Sequence, residues 1–422
     1  MYLNKHIDAT VIMKNRYDVF DATGCDEITC ATIGSVDSGK STTVGVLCKK
    51  IYDDGRGSAR TAVMKHRHEF RTGNTSDIAY QYFKDHNRIY TFIDLAGHED
   101  FLRTTISGLS SGCPDFAICC ISDKVTKMTK EHILLAINLG IPVMINFTKI
   151  DLVPVSVTKG LIVLVKYIIQ RIGRRMFRCN SVADFLLVRD SDKHVPFIFT
   201  SNKNGTNINL IRDILNKVQK RNRKFVDGFV IDTIYNIAGV GTVVSGEVGN
   251  VIKKSDVLYI GPMSSGKFIK VRVKTMHNDY RYSVDVLNAG TRGCLCISID
   301  NKYRRYLRKG MLIRHEVPNN ICSKFEARVI ISRHHTSISN GYQAYINCGL
   351  VSGACILSNI KILDKKNDTL SDVARSGDVI TCDMSFMSHL NYVEIGQKIV
   401  FSGGMTKGVG IITNIYPHEK DG

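Results

Sequence analysis

The chain has 422 residues, 44% of them apolar and only 7 of them proline, which excludes a disordered chain and leaves room for two or three packed domains. Lys and Arg number 57 against 39 Asp and Glu, a formal net charge of +18. Enzymes of small metabolites rarely need that excess, and it points to a polyanionic partner, because attraction to phosphate is long-ranged and independent of sequence.

A β-branched run predicts a strand over 28–33, and a helix over 41–50 follows. Strands over 89–95, 115–121, 142–147 and 196–200 alternate with helices over 130–139, 161–172 and 210–218. The run 115–121 is apolar without alternation, as in a strand buried on both faces of a parallel sheet. Strand-helix alternation makes this half an α/β domain. The basic stretch 217–224 reads as a linker. Short β-rich runs at 228–234, 241–248, 256–260, 269–276 and 291–299, then a β-rich block over 323–416, predict antiparallel barrels or sandwiches. Basic clusters occur at 171–178, 217–224 and 302–309; the last sets Tyr303 and Tyr306 beside arginine, which suits RNA contact. The thirteen cysteines show no C-x-x-C spacing and read as small buried residues of a reducing compartment, the cytoplasm. No apolar run is long enough to span a bilayer, so no membrane partner is expected.

Gly34-Ser35-Val36-Asp37-Ser38-Gly39-Lys40-Ser41 fits G-x-x-x-x-G-K-S/T between a strand and a helix. The glycines permit a turn that aims backbone N–H groups, from Val36 through Asp37, Ser38 and Gly39 to Thr42, at phosphate oxygens. Lys40 supplies a charge to the β- and γ-phosphates, and the Ser41 hydroxyl ligates Mg²⁺. Asp94-Leu95-Ala96-Gly97 fits D-x-x-G: Asp94 holds Mg²⁺ through a water, and the Gly97 N–H approaches the γ-phosphate. Thr148-Lys149-Ile150-Asp151 resembles the guanine-reading N-K-x-D. Asp151 accepts two hydrogen bonds from guanine N1 and N2, and the Lys149 stem packs on the base. Thr148 replaces the usual Asn, which changes one contact to the base or to the phosphate loop. Ser201-Asn202-Lys203, after the last strand, fits the fifth guanine-nucleotide motif. The expected ligands are GTP or GDP and Mg²⁺.

In this order, with a β-rich second half behind them, these motifs resemble the translational GTPases of the elongation factor Tu and elongation factor 1-alpha type. Residues 34–43 look like G-H-V-D-x-G-K-S/T-T, residues 94–99 like D-x-P-G-H, and residues 236–246 like the domain II core G-x-G-T-V-V-x-G. The runs 54–60, 65–69, 92–99, 128–132 and 148–151 are similar to the GTP-binding protein 1 and 2 family. The resemblance implies a P-loop GTPase domain over 28–222 and two β-barrels over 225–317 and 320–417; residues 1–27 form an N-terminal extension without a counterpart. It implies that His98 orients the attacking water and that Asp37 helps hold a monovalent cation beside the phosphates. Thr75 is then the switch I threonine that closes on Mg²⁺, with Ser76 or Thr72 as alternatives. Ala96 and Ser35 stand where the family usually has Pro and His. Met276-His277 lies where elongation factors often carry Met-His beside the terminal adenosine, which makes His277 a candidate tRNA contact.

The function so implied is a monomeric, cytoplasmic translational GTPase that works with tRNA and the ribosome in elongation, rescue or mRNA surveillance. Two alternatives stay open. One is a GTP switch for protein effectors such as RNA-decay or surveillance proteins, without tRNA. The other is the GTPase subunit of a sulfate-activating enzyme, whose phosphate loop often begins G-S-V-D, as here.

Overall fold

The structure, a computed structural model, describes residues 24–61, 63, 78–85, 87–222, 225–333, 337–363, 373–403 and 406–418. Thr75 and its alternatives Thr72 and Ser76, and nearly all of the expected N-terminal extension, lie outside the described residues.

The first half runs β1 (Asp26–Ile33), α1 (Lys40–Lys49), α2 (Ser58–Thr61), β2 (Ala79–Asp85), β3 (Arg88–Asp94), a 3₁₀ turn (Glu99–Phe101), α3 (Leu102–Ser111), β4 (Phe116–Ile121), α4 (Lys127–Asn138), β5 (Val143–Phe147), α5 (Val155–Gln170), β6 (Arg175–Arg178), α6 (Val182–Val188), β7 (His194–Phe199) and α7 (Ile208–Leu215). Seven strands form one sheet in the order β2-β3-β1-β4-β5-β7-β6. Every pairing is parallel except β2 on β3. Both faces are covered. Ile106 of α3, Ile133 of α4 and Val165 of α5 pack on one, and Val44 of α1, Phe185 of α6 and Ile211 of α7 on the other. The strand order reverses between β3 and β4, on either side of β1. That is where an open α/β sheet offers a crevice at its strand C-termini.

Beyond residue 225 the chain forms β8 (Phe229–Ile237), β9 (Gly241–Val248), β10 (Ile252–Lys253), β11 (Val257–Gly261), β12 (Ile269–Asn278), β13 (Ser283–Val284), β14 (Val286–Leu287), β15 (Thr291–Ser298), α8 (Asn301–Arg304) and β16 (Leu312–Arg314). Strands β11-β16-β8-β9-β15-β12 close into a six-stranded antiparallel barrel, because β12 also pairs with β11. The last block contributes β17 (Ile321–Arg333), β18 (Gln343–Cys348), β19 (Val351–Ile362), β20 (Val379–Phe386), β21 (Asn391–Tyr392), β22 (Lys398–Gly403) and β23 (Thr406–Pro417). Its ring β20-β19-β18-β22-β23-β17 closes through β17 on β20. Closure decides for barrels over sandwiches, and it leaves neither ring an open edge.

Polar contacts join the three bodies. The Tyr82 hydroxyl of β2 donates to Asp279 Oδ2 beyond β12 (3.3 Å), and the Tyr82 and Tyr280 rings meet edge-on at 5.2 Å. Arg292 of β15 donates to the Ser111 carbonyl at the end of α3 (3.5 Å) and to Asp232 (2.6 Å), which Lys309 also reaches at 2.7 Å. Arg308 bridges the barrels, donating to Asn391 Oδ1 at 2.9 Å and the Leu390 carbonyl at 2.5 Å. The stretch read as a linker is pinned: the Arg221 N–H donates to Asp115 Oδ1 at 3.0 Å and its guanidinium to the Pro114 carbonyl at 3.0 Å. All thirteen cysteines are free thiols, and nine of them are buried.

Candidate nucleotide site

The phosphate loop leaves β1 at the crevice. Gly34 takes φ +132°, and a Cβ there would lie 2.3 Å from the Cys120 carbonyl of β4, so only glycine turns the chain so close to its neighbour strand. From behind, the Gly34 N–H donates to Nδ1 of the buried His132 on α4 (3.2 Å). Asp37 sits at the tip with φ +58°, a left-handed turn residue. Ser38 is buried beneath the loop and its hydroxyl donates to the Ser35 carbonyl at 2.8 Å. Lys40 donates to the same carbonyl at 2.7 Å. Burial pushes the Lys40 ammonium below the usual lysine range, and the Asp94 carboxylate works against that shift. A lysine held this way gains from a bound anion. Asp94 closes β3 and is buried; Oδ1 accepts from Thr32 Oγ1 at 2.9 Å and Oδ2 from Ser41 Oγ at 2.5 Å. Gly97 is buried against the loop: a Cβ there would lie 2.6 Å from Lys40 Nζ and 2.7 Å from the Val36 nitrogen.

Val36, Asp37, Gly39, Lys40, Ser41, Thr42, Gly97, His98 and Lys149 line one open cleft, together with Arg60 of α2. His98 is exposed there. Its Nδ1 faces the Asp100 N–H at 3.3 Å, and its ring meets Phe101 at 6.2 Å. Thr148, Ser201 and Asn202 are buried beside the loop. Thr148 Oγ1 donates to the Ser38 carbonyl at 2.8 Å, so the link from this motif to the phosphate loop is present despite the missing Asn. Asn202 Nδ2 donates to Thr43 Oγ1 of α1 at 3.0 Å, and the Asn204 N–H to Ser201 Oγ at 3.0 Å. Lys149 takes φ +56°, while Asp151 and Lys203 are exposed. His277 is exposed on β12 of the first barrel, paired with Ser283 and Cys294. In the 302–309 cluster, Arg308 and Lys309 hold protein groups, while Arg305 lies 4.8 Å over the Tyr306 ring at the surface.

Residues 26–221 match the elongation factor Tu GTP binding domain, and residues 318–416 match the elongation factor Tu C-terminal domain. GTP-binding protein 2 of Homo sapiens is 30% identical over 92% of this chain and 69% of its own length. The chain belongs to the translational GTPases. GTP-binding protein 1 of Xenopus laevis is 32% identical over 92% of the chain, which spans 63% of that relative's length. Among solved structures, translation elongation factor SelB of Methanococcus maripaludis, in complex with a GTP analogue, superposes with a TM-score of 0.67 at 21% identity. That match covers 93% of this chain and 80% of the other and shows the shared fold.

Residues 26–221 thus match a GTP binding domain, and every residue lining the cleft falls within them. Two groups around the loop had no chemistry assigned from the sequence. His132, behind the loop on the buried face of α4, ends the run 128–132, and Arg60, in the cleft, ends the run 54–60; both runs carry resemblance without a stated role. Among the described residues, no group of three or more His, Cys, Asp or Glu could hold a metal, and no helix is long and apolar enough to cross a membrane.

Proposed function

We propose that the chain takes GTP with Mg²⁺ into this cleft, hydrolyses it to GDP and phosphate, and uses the step as a switch in a complex with tRNA and the ribosome, as a cytoplasmic monomer. The observation that carries the chemistry is the convergence of Lys40, Ser41, Gly97 and His98 on one cleft. The loop N–H groups and Lys40 bind the phosphates. Ser41 and Asp94 fit Mg²⁺. They are hard oxygen donors, buried and 2.5 Å apart, and this ion usually takes one or two carboxylates and fills its shell with phosphate and water. Thr75 would complete the set from outside the described residues. Held by Ser41 and Asp94, Mg²⁺ would supply charge neutralisation for the phosphates. His98, exposed at the mouth, orients the attacking water; Asp37 is the residue for a monovalent cation. Asp151, Lys149, Ser201, Asn202 and Lys203 read guanine. The net charge of +18 and the exposed His277, Arg305 and Tyr306 of the first barrel support an RNA partner.

The test is GTP hydrolysis by the purified chain with and without ribosomes, with His98→Ala alongside. The expected result is ribosome stimulation that the variant loses by about a hundredfold or more while GTP affinity is kept. Stimulated turnover unchanged by the substitution removes His98 from the mechanism. The effector reading has one observation in its favour: α5 exposes Val155, Val163, Leu164 and Tyr167, the kind of apolar surface that proteins bind. A rate indifferent to ribosomes favours it.

A further inference from the structure

Of the residues that line the cleft, Arg60 alone belongs to none of the nucleotide-binding motifs. It is not a loose surface arginine. Its helix, α2, rests on α1 at Gly45, where an added Cβ would lie 2.0 Å from the Ala59 carbonyl, and Ala59 is fully buried. The Asp53 carboxylate accepts from the N–H groups of Gly55 at 2.9 Å and Ala59 at 3.0 Å. Asp54 Oδ1 accepts from those of Arg56 at 2.8 Å and Ser58 at 3.2 Å. The Asp53 N–H in turn donates to the Asn202 carbonyl at 2.9 Å, which ties this loop to the guanine side of the cleft. The guanidinium folds over Gly57, whose added Cβ would meet Nη2 at 3.3 Å, and Nε is shut off from solvent.

We propose that Arg60 is a catalytic arginine supplied by the chain itself, which contacts the phosphates of GTP and stabilises the charge that moves during transfer. The inference rests on the GTPase reading of the cleft. In the reaction, the water oxygen bonds to the γ-phosphorus as the bond from that phosphorus to the β–γ bridging oxygen breaks. The electron pair stays on GDP, a water proton passes to the phosphoryl oxygens, and inorganic phosphate leaves. Negative charge therefore grows on the bridging oxygen and the β-phosphate. Lys40 is a point charge already engaged with Ser35. A guanidinium presents a planar fork of donors, which suits two phosphate oxygens at once and gains most where the charge is greatest.

The experiment compares the full chain with Arg60→Ala and Arg60→Lys in three measurements: GDP and GTP affinity, single-turnover GTP hydrolysis without any partner, and trapping of GDP with aluminium fluoride. The expected result is GDP affinity within about threefold of the parent. Hydrolysis falls about thirtyfold, the gap between switch GTPases with and without an arginine in cis. Lysine does not restore it, and the fluoride complex is lost in both variants. The milder lysine substitution and a thermal unfolding curve separate loss of chemistry from loss of fold. Unchanged hydrolysis and trapping in both variants overturn the role of Arg60 and leave the GTPase reading standing. A parent chain that neither binds nor hydrolyses GTP overturns both.

Discussion

Thr148 shows how one substitution in a motif redistributes contacts. A missing Asn announces a lost hydrogen bond, but the sequence leaves open whether base or phosphate loop loses it. The threonine hydroxyl reaches the Ser38 carbonyl, so the loop keeps its support. Thr148→Val keeps the shape and removes the donor, which leaves a buried carbonyl without it at a cost of about 1–3 kcal/mol. GDP and GTP affinity should both fall by about tenfold, in equal measure, because the contact lies beneath the loop and touches no phosphate. A fluorescence titration with both nucleotides checks this; loss of GTP affinity alone would place Thr148 in the switch. His132 works from a similar position. Its Nδ1 accepts the Gly34 N–H, so the ring proton sits on Nε2 and the tautomer is fixed. The run 128–132 that His132 ends carries a resemblance in the sequence but no sign of such a task.

The elements differ in how plainly they were written. β4 and β5 are buried on both faces; β4 reads directly as an unbroken apolar run, and β5 as one interrupted only by Asn146. The helix α3 did not: Thr, Ser and Gly make up most of it and are poor helix formers, and it holds by burying Ile106 and Leu109. β6 and α6 are too short to show a period, at four and seven residues. β2 lies at the sheet edge, antiparallel and mostly half-buried, and follows a stretch whose pattern predicts nothing. The turn of the phosphate loop between β1 and α1 was legible because the G-x-x-x-x-G-K-S/T pattern demands fixed residue types at fixed spacing, while its support by His132 was not. The seat of α2 was not, because it depends on a close approach between Gly45 and Ala59 that only three dimensions reveal. Gly45→Ala places a methyl group into that contact and should destabilise the domain by about 1–3 kcal/mol. Urea unfolding measures the loss, and limited proteolysis should show cleavage opening first within 53–61. A variant as stable as the parent would mean that α2 gives way freely.

At the scale of the whole molecule, the joint between the GTPase domain and the first barrel is polar. Burial raises the Asp279 carboxyl above the usual range, against the pull of Arg292. A carboxyl raised in the folded state favours folding where it is protonated, and that contribution is lost as pH rises through its folded value. Asp279→Asn keeps an acceptor for the Tyr82 hydroxyl and removes the buried charge. The variant should therefore match or exceed the parent in unfolding temperature at neutral pH. The advantage should vanish on acidification through the raised carboxyl range above pH 3.8. A variant less stable at neutral pH and equal in acid would show that the charge holds the joint together.

That joint also constrains what any macromolecule can do to the nucleotide. One barrel grips β2, which carries the chain out of residues 64–77, through Asp279, and grips the end of α3, which follows His98, through Arg292. A partner that fits the barrel better with one nucleotide bound must, by reciprocity, tighten that same nucleotide by the same factor. A tenfold preference amounts to about 1.4 kcal/mol, the scale of a single hydrogen bond across the joint. For such a partner, its preference for the barrel and the cleft's preference between GTP and GDP would be two readings of one equilibrium.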